Sequence, residues 1–205
     1  MDLSDEALAI NFRQTKDPTC FKSMVRRFEN RIYSAVLRIV GNEEEAEEVV
    51  QDTFMKAHDN ITKFRGSSSF GAWLFRIAHN SCMDRLRTKQ RRKLFHAWSF
   101  DPQSSAEKEE DCHVVTQAAD PHPNPSDELD ANEQEQLVER SLKDLPETQR
   151  TVVVLHDIEG FSYQEIAEIV GTSIGTVRSR LHYGRLKLKE LLEPYFQLDP
   201  AQSPR

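Results

Sequence analysis

With 205 residues, 38% of them hydrophobic and 30% charged, the chain fits one large or two small domains with extensive wetted surface, and it carries a net charge of −7. Seven glycines and few alternating β-branched runs argue against a sheet protein, and no run approaches the roughly 18 apolar residues of a membrane span, so no membrane insertion is expected. Cys20, Cys82 and Cys112 are an odd number at no metal-ligand spacing, as in a reducing compartment; Cys112-His113 with His122 lacks a fourth ligand, so no metal or other cofactor is expected.

The first stretch, MDLSDEALAINFRQ, is acidic and amphipathic, which excludes a signal peptide and predicts a cytoplasmic location. Val25, Phe28, Ile32, Ala35, Val36 and Ile39 recur at helical spacing and stop at Gly41-Asn42. Ala46, Val49, Val50, Phe54 and Ala57 make the next stripe. With that face inward, Glu48, Gln51, Asp52 and Lys56 project outward, the pattern of a solvated helix face or a docking face. A glycine-serine loop at 64–69 holds Phe64, Arg65, Gly66 and Ser67 and leads into a long helix from Phe70. On a helical wheel Arg76, Asn80 and Arg87 lie within about 40° of one another with Trp73 at their edge. Leu74, Ile77, Ala78 and Ser81 face the opposite side, toward a core. Cations, an amide and aromatic rings on one surface suit single-stranded DNA; Trp73 also fits simple core packing, and Arg91-Arg92-Lys93 a solvated charge run.

From residue 96 to 132 the composition changes. One Lys/Arg stands against nine Asp/Glu, with four prolines, which predicts a flexible acidic linker. Residues 1–95 carry 17 Lys/Arg against 13 Asp/Glu, and residues 133–205 carry 9 against 12. The acid is thus concentrated between two modules whose basic residues gather at 85–93 and 178–189, and nucleic-acid binding survives the negative total. The linker is either a passive spacer or a competitor for those basic faces.

The second module, 133–196, contains the clearest local signal. Ser162 with Glu165 forms a capping box, Ile166, Ala167 and Val170 an apolar stripe, and Gly171 a left-handed stop. A new helix starts near Thr172/Ser173, with Ile174, Val177, Leu181, Leu188 and Leu191 predicted inward. Thr176, Ser179, His182 and Tyr183 are predicted outward, flanked by Arg178 and Arg180. This reads as a helix-turn-helix that meets a DNA major groove, with a plain helical hairpin as the alternative. The tail, 197–205, is expected to be disordered. No catalytic arrangement is present: His79, His156 and His182 lack partners at catalytic spacing and read as satisfied packing or surface residues.

The motifs LPETQR, HDIEGFSYQEIA and GTVRSRL resemble region 4 of bacterial σ factors, the promoter-specificity subunits of RNA polymerase. FRG-SSSF, WLFRIAHN and DRLR resemble regions 2.3 and 2.4 of the extracytoplasmic-function (ECF) subgroup, and the QD pair at 51–52 resembles that subgroup's polymerase-docking segment. The resemblance implies an all-α fold of two small domains (1–95 and 133–196) and a chain that is not an enzyme. It implies that Arg178, Ser179 and Arg180 read the upstream (−35) element. Residues 64–69, with Arg76 and Asn80, would melt and hold the downstream (−10) element. Core RNA polymerase, through its β′ and β subunits, promoter DNA and an anti-σ factor are the implied partners, in stress-responsive transcription. Two departures from the pattern stand out: Tyr183 where relatives carry arginine, and Gly184 where they carry alanine. A stand-alone helix-turn-helix regulator, or a σ-like decoy for an anti-σ factor, are the competing readings.

Overall fold

The computed structural model describes residues 3–64, 66, 68–98 and 125–196, and among them there is helix and no strand. The termini, most of the acidic linker, Arg65, Ser67 and Cys112 lie outside the described residues.

Local chemistry sets the helix ends. In α1 (Asp5–Thr15) the Ser4 hydroxyl accepts from the Ala7 N–H at 3.2 Å. Pro18 opens α2 (Pro18–Val40) behind Asp17, whose carboxylate accepts from the Thr19 N–H at 2.9 Å. Asn42 caps α3 (Glu43–Asn60), whose first turn is Glu43, Glu44 and Glu45, negative charge at the positive helix end. A 3₁₀ turn, Ile61–Lys63, leads to the loop before α4 (Phe70–Trp98). Met24, Phe28, Ile32 and Val36 of α2, Val49 of α3, and Leu74, Ala78 and Cys82 of α4 make the first module's core. Burial of such side chains, each contributing about 1.5–3 kcal/mol, decides which stripe faces inward.

The second module comprises α5 (Pro125–Lys143), α6 (Glu147–Val153), α7 (Tyr163–Val170) and α8 (Ile174–Phe196). Two limits differ from those expected from composition. Helix α4 runs on to Trp98, and α5 begins at Pro125, inside the stretch expected to be linker; proline at the first helical position is a start signal that the surrounding acids obscured. Leu142, Leu145, Val152, Ile166, Ile169, Val177 and Leu181 form this core. Ile174, expected inward, is 37% exposed at the start of α8. Gly184 is buried where α8 crosses α6, and a Cβ there would meet Val153 Cγ2 at 2.9 Å. The close approach accounts for a glycine at that position.

Between α6 and α7 the chain passes through a π-helical turn, Val154–Ile158, with the Glu159 N–H donating to the Val154 carbonyl at 3.0 Å. The extra residue re-aims Glu159 and Phe161 toward the first module. Glu159, with a side chain 7% exposed, takes the Arg31 guanidinium at 3.1 Å. Phe161 packs edge-on against Phe75 of α4 with ring centroids 4.8 Å apart. Arg31 lies over Phe28 and Phe75. Arg150 of the LPETQR motif donates to the Ile39 carbonyl at 2.9 Å and to the Lys143 and Leu145 carbonyls, both at 3.1 Å. The two modules therefore pack directly on each other, α7 against α4 and α6 against α2.

Candidate nucleic-acid and polymerase interfaces

The helix-turn-helix forms as its residues require. The Ser162 hydroxyl accepts from the Glu165 N–H at 3.3 Å while the Glu165 carboxylate accepts from the Ser162 N–H at 3.0 Å. Burial pushes the Glu165 carboxyl up, but the Ser162 N–H, its hydroxyl and the Ser69 hydroxyl outweigh that and hold it below the usual range. Gly171 takes φ +66°, a left-handed conformation open to glycine at little cost, and lets the Thr172 N–H reach the Ala167 carbonyl at 3.0 Å. Ser173 then caps α8 through the Thr176 N–H at 3.1 Å.

The side chains expected to face DNA do not form one surface. Arg178 and His182 are exposed and share a groove of about 380 Å³ with Tyr163, Arg185 and Lys189, and the Arg178 guanidinium lies 5.9 Å from the Tyr163 ring centre. Ser179 is exposed one step round the helix. Tyr183, 58% exposed, turns toward α6 and lines a second groove with Asp144, Pro146 and Gln149. Thr176 is half-buried, its hydroxyl 2.9 Å from that of Ser173, so its polar atoms are engaged in the cap. Arg180 is half-buried too and faces α4, where its charge acts on His79.

On α4, Arg76, Asn80 and Arg87 are exposed as the helical wheel predicted, with Arg87 only loosely paired to Asp84 at 3.5 Å. Phe64 is a correction. It is 2% exposed, wedged 5.5 Å from both Phe70 and Trp73, so its ring is core and not a platform for bases. Trp73 is half-buried over the same cluster, and Gly66 sits exposed at φ +72°. The Ser69 hydroxyl accepts from the Ala72 N–H at 3.2 Å, capping α4.

His79 is a second correction. Its Nδ1 is buried without a hydrogen-bond partner among the described residues. Burial first, then the charges of Arg180 and Arg87, lower its pKa from 6.5 to about 4. Below pH 6.5 the unfolded chain binds a proton that the folded chain refuses, so stability should fall as pH drops from 6.5 toward 4, by up to about 3 kcal/mol. Urea midpoints measured across that window should slope less in His79→Leu than in the unsubstituted chain. Equal slopes would show that His79 does not set the pH dependence. Glu159 and Glu165 titrate in both proteins and cancel.

The outward face of α3 is polar at Gln51 and Asp52, the latter with a side chain 62% exposed. Glu48 is not free: it pairs with Arg85 of α4, beside Glu45 with Lys89 at 3.2 Å. Lys56 donates to the Ser81 hydroxyl at 2.9 Å. Beside Gln51 runs a shallow groove of about 330 Å³ lined by Phe21, Phe54, Met55 and His58, with Met55 58% exposed. Sequence reasoning missed Met55 because a single outward methionine carries no periodic signal. Among the described residues no His/Cys/Asp/Glu group could hold a metal, and no helix is long and apolar enough to cross a membrane. Buried Cys82 has its thiol pushed up to about 12 by desolvation, which leaves it unreactive.

Comparison with known proteins gives a consistent result. Residues 24–92 match the family described as Sigma-70 region 2, and residues 135–188 match Sigma-70, region 4. The chain is 34% identical over 192 residues to an ECF RNA polymerase sigma-E factor of Haemophilus influenzae, covering 94% of this chain and 97% of that one. It is 32% identical to ECF RNA polymerase sigma factor SigW of Bacillus subtilis, covering 86% and 90%. Among solved structures it resembles sigma factor RpoE in complex with the anti-sigma factor NepR from Bartonella quintana, at 28% identity and TM-score 0.64 over 84% of this chain and 96% of that one. A similar match is CnrH in complex with the cytosolic domain of CnrY, at 25% identity and TM-score 0.64 over 93% and 97%.

Proposed function

The chain belongs to the ECF σ factors of the sigma-70 family, and from that premise we propose how its residues divide the work of directing core RNA polymerase to promoters. It is a transcription initiation factor and not an enzyme. Arg178, Ser179 and His182 on the open side of α8 read the upstream element in the major groove. Arg76, Asn80 and Arg87, with the loop at 64–69, hold the downstream element once its strands part: guanidinium groups follow phosphate, and the amide reads a base edge. The exposed α3 surface around Gln51, Asp52 and Met55 takes the polymerase β′ subunit, an apolar groove beside polar groups being a common docking surface. Tyr183, Arg180 and Thr176 play supporting parts, since the fold turns each of them away from the Arg178 side. An anti-σ factor is the further partner we infer, in keeping with the complexes in which RpoE and CnrH were solved. We infer a cytoplasmic location from its proposed action with core RNA polymerase on promoter DNA.

The observation that carries this reading is the pair of exposed polar helix faces, on α4 and α8, in one chain whose two modules match region 2 and region 4 in order. Run-off transcription with purified core polymerase tests it: the chain should start transcription from a selected promoter. In the same holoenzyme Arg178→Ala should lose a base contact of about 1–3 kcal/mol. Upstream footprint protection should weaken roughly five- to hundredfold in half-saturating concentration. Unchanged upstream protection would take the upstream reading away from α8.

A further inference from the structure

Helix α1 lies outside the region 2 match, which begins at residue 24. The loop at 64–69 has one end at the buried Phe64 and the other at Phe70, the first residue of α4. Both ends are tied to α1. The Arg13 Nη1 donates to the Phe64 carbonyl at 2.9 Å, and a Glu6 carboxylate oxygen accepts from the Phe70 N–H at 3.2 Å. Glu6 and Arg13 are seven residues apart, two helical turns, so they stand on nearly the same face about 10.5 Å apart along the axis. Between them Ala9 is fully buried and Phe12 is 2% exposed, which fixes α1 against the core. Its own start is held in turn: Arg27 donates to the Leu3 carbonyl at 2.8 Å and pairs with Asp5 at 2.7 Å. Both loop contacts involve a charged partner, the stronger kind of hydrogen bond, and the Glu6 charge sits at the positive end of α4.

We propose that α1 is a splint for the downstream-element loop, with Glu6 and Arg13 as positioning residues that hold its two ends at a fixed separation and so set how precisely it captures an unstacked base. This role rests on the proposed function of that loop in holding the downstream element. A positioning error of about 1 Å at a functional site is enough to cost large factors in rate, and among the described residues α1 holds both ends of the loop, while the Ser69 hydroxyl donates to Glu165 of α7 at 3.2 Å. Arg13 and Glu6 touch no nucleotide in this scheme. Their effect is on the discrimination between bases and much less on polymerase or duplex affinity.

The test uses the full chain in holoenzyme. Strand opening is followed by permanganate reactivity on a promoter with the preferred downstream sequence and on one with a single base substituted in the captured position. The ratio of the two opening rates is the readout, because loss of folded protein lowers both rates and leaves the ratio unmoved. Arg13→Ala and Glu6→Ala should each shrink the ratio about fivefold to tenfold. Glu6→Gln retains a carbonyl acceptor and Arg13→Lys retains a donor, so both should recover most of it. An unchanged ratio in both alanine variants, while a Gly/Ser replacement of 65–68 collapses it, would overturn the splint and leave the loop's role standing. An unchanged ratio in the loop replacement itself would overturn the loop reading, and the splint with it.

Discussion

Replacing Asp52 with lysine should strip the chain of core polymerase while leaving its helical circular-dichroism spectrum as it was. Among the described residues Asp52 has only a loose pair with Lys56 at 4.0 Å, both side chains about half or more exposed, and such pairs contribute about 0–1 kcal/mol. The new lysine would stand four residues before Lys56, a like-charge spacing that costs only a few tenths of a kcal/mol in an exposed helix. At an interface the same reversal leaves a partner's charge buried against its own sign. That typically costs about 2–5 kcal/mol, roughly thirtyfold to several thousandfold in affinity. Co-purification of the variant with tagged core polymerase is the measurement. Holoenzyme formation at undiminished affinity would remove this face of α3 from the docking surface.

Phe64→Ala should cost the first module about 3–5 kcal/mol, the range for emptying a phenylalanine site in a packed core. That is a large part of the roughly 5–15 kcal/mol by which domains of this size are stable. The ring is 2% exposed and touches Phe70 and Trp73, and its carbonyl is the acceptor for Arg13, so little around it is free to collapse into the gap. Urea unfolding should show the loss, and strand opening should fail together with the fold. If the variant instead kept its stability and lost only opening, the ring would be a base platform after all and the core placement would be wrong.

How much of the fold and of the interfaces could be read from residues alone varies with the range of the interaction. Caps and stripes were legible: Ser162 with Glu165, the Gly171 stop, the inward Leu74 and Ala78 and the outward Arg76 and Asn80 all come from spacing of three or four residues, and the helices obey it. Phe64 was misplaced because an aromatic residue next to a glycine-serine loop reads as exposed. Only the three-dimensional closeness of Phe70 and Trp73 buries it. Arg31 with Glu159 and Phe75 with Phe161 join positions 128 and 86 residues apart, and no local pattern announces such a pair. The π-helical turn that aims Glu159 has the same character, since one residue of extra winding leaves no mark on hydropathy. His79 looked like an ordinary helical histidine; its lowered pKa comes from burial and from the charge of Arg180, which lies 101 positions along the chain in the other module.

The packing of α7 against α4 sets a condition on everything the two DNA faces do. Elements labelled −35 and −10 lie roughly 25 base pairs apart, or ~85 Å at about 3.4 Å per pair. In the free chain Arg180 of α8 is near enough to His79 of α4 to act on its charge. If α4 and α8 are the faces that read the two elements, a chain reading both at once would have to part Phe75 from Phe161 and Arg31 from Glu159. If only a fraction f of free chains is parted, the apparent dissociation constant for any such reader rises by 1/f, tenfold for each 1.4 kcal/mol of closure. A polymerase that holds both modules at once would spread the opening cost over many contacts. On the proposed division of labour the junction would act as a threshold, making promoter reading conditional on prior assembly, with a height set by single residues such as Phe161 that contact neither polymerase nor DNA in this scheme.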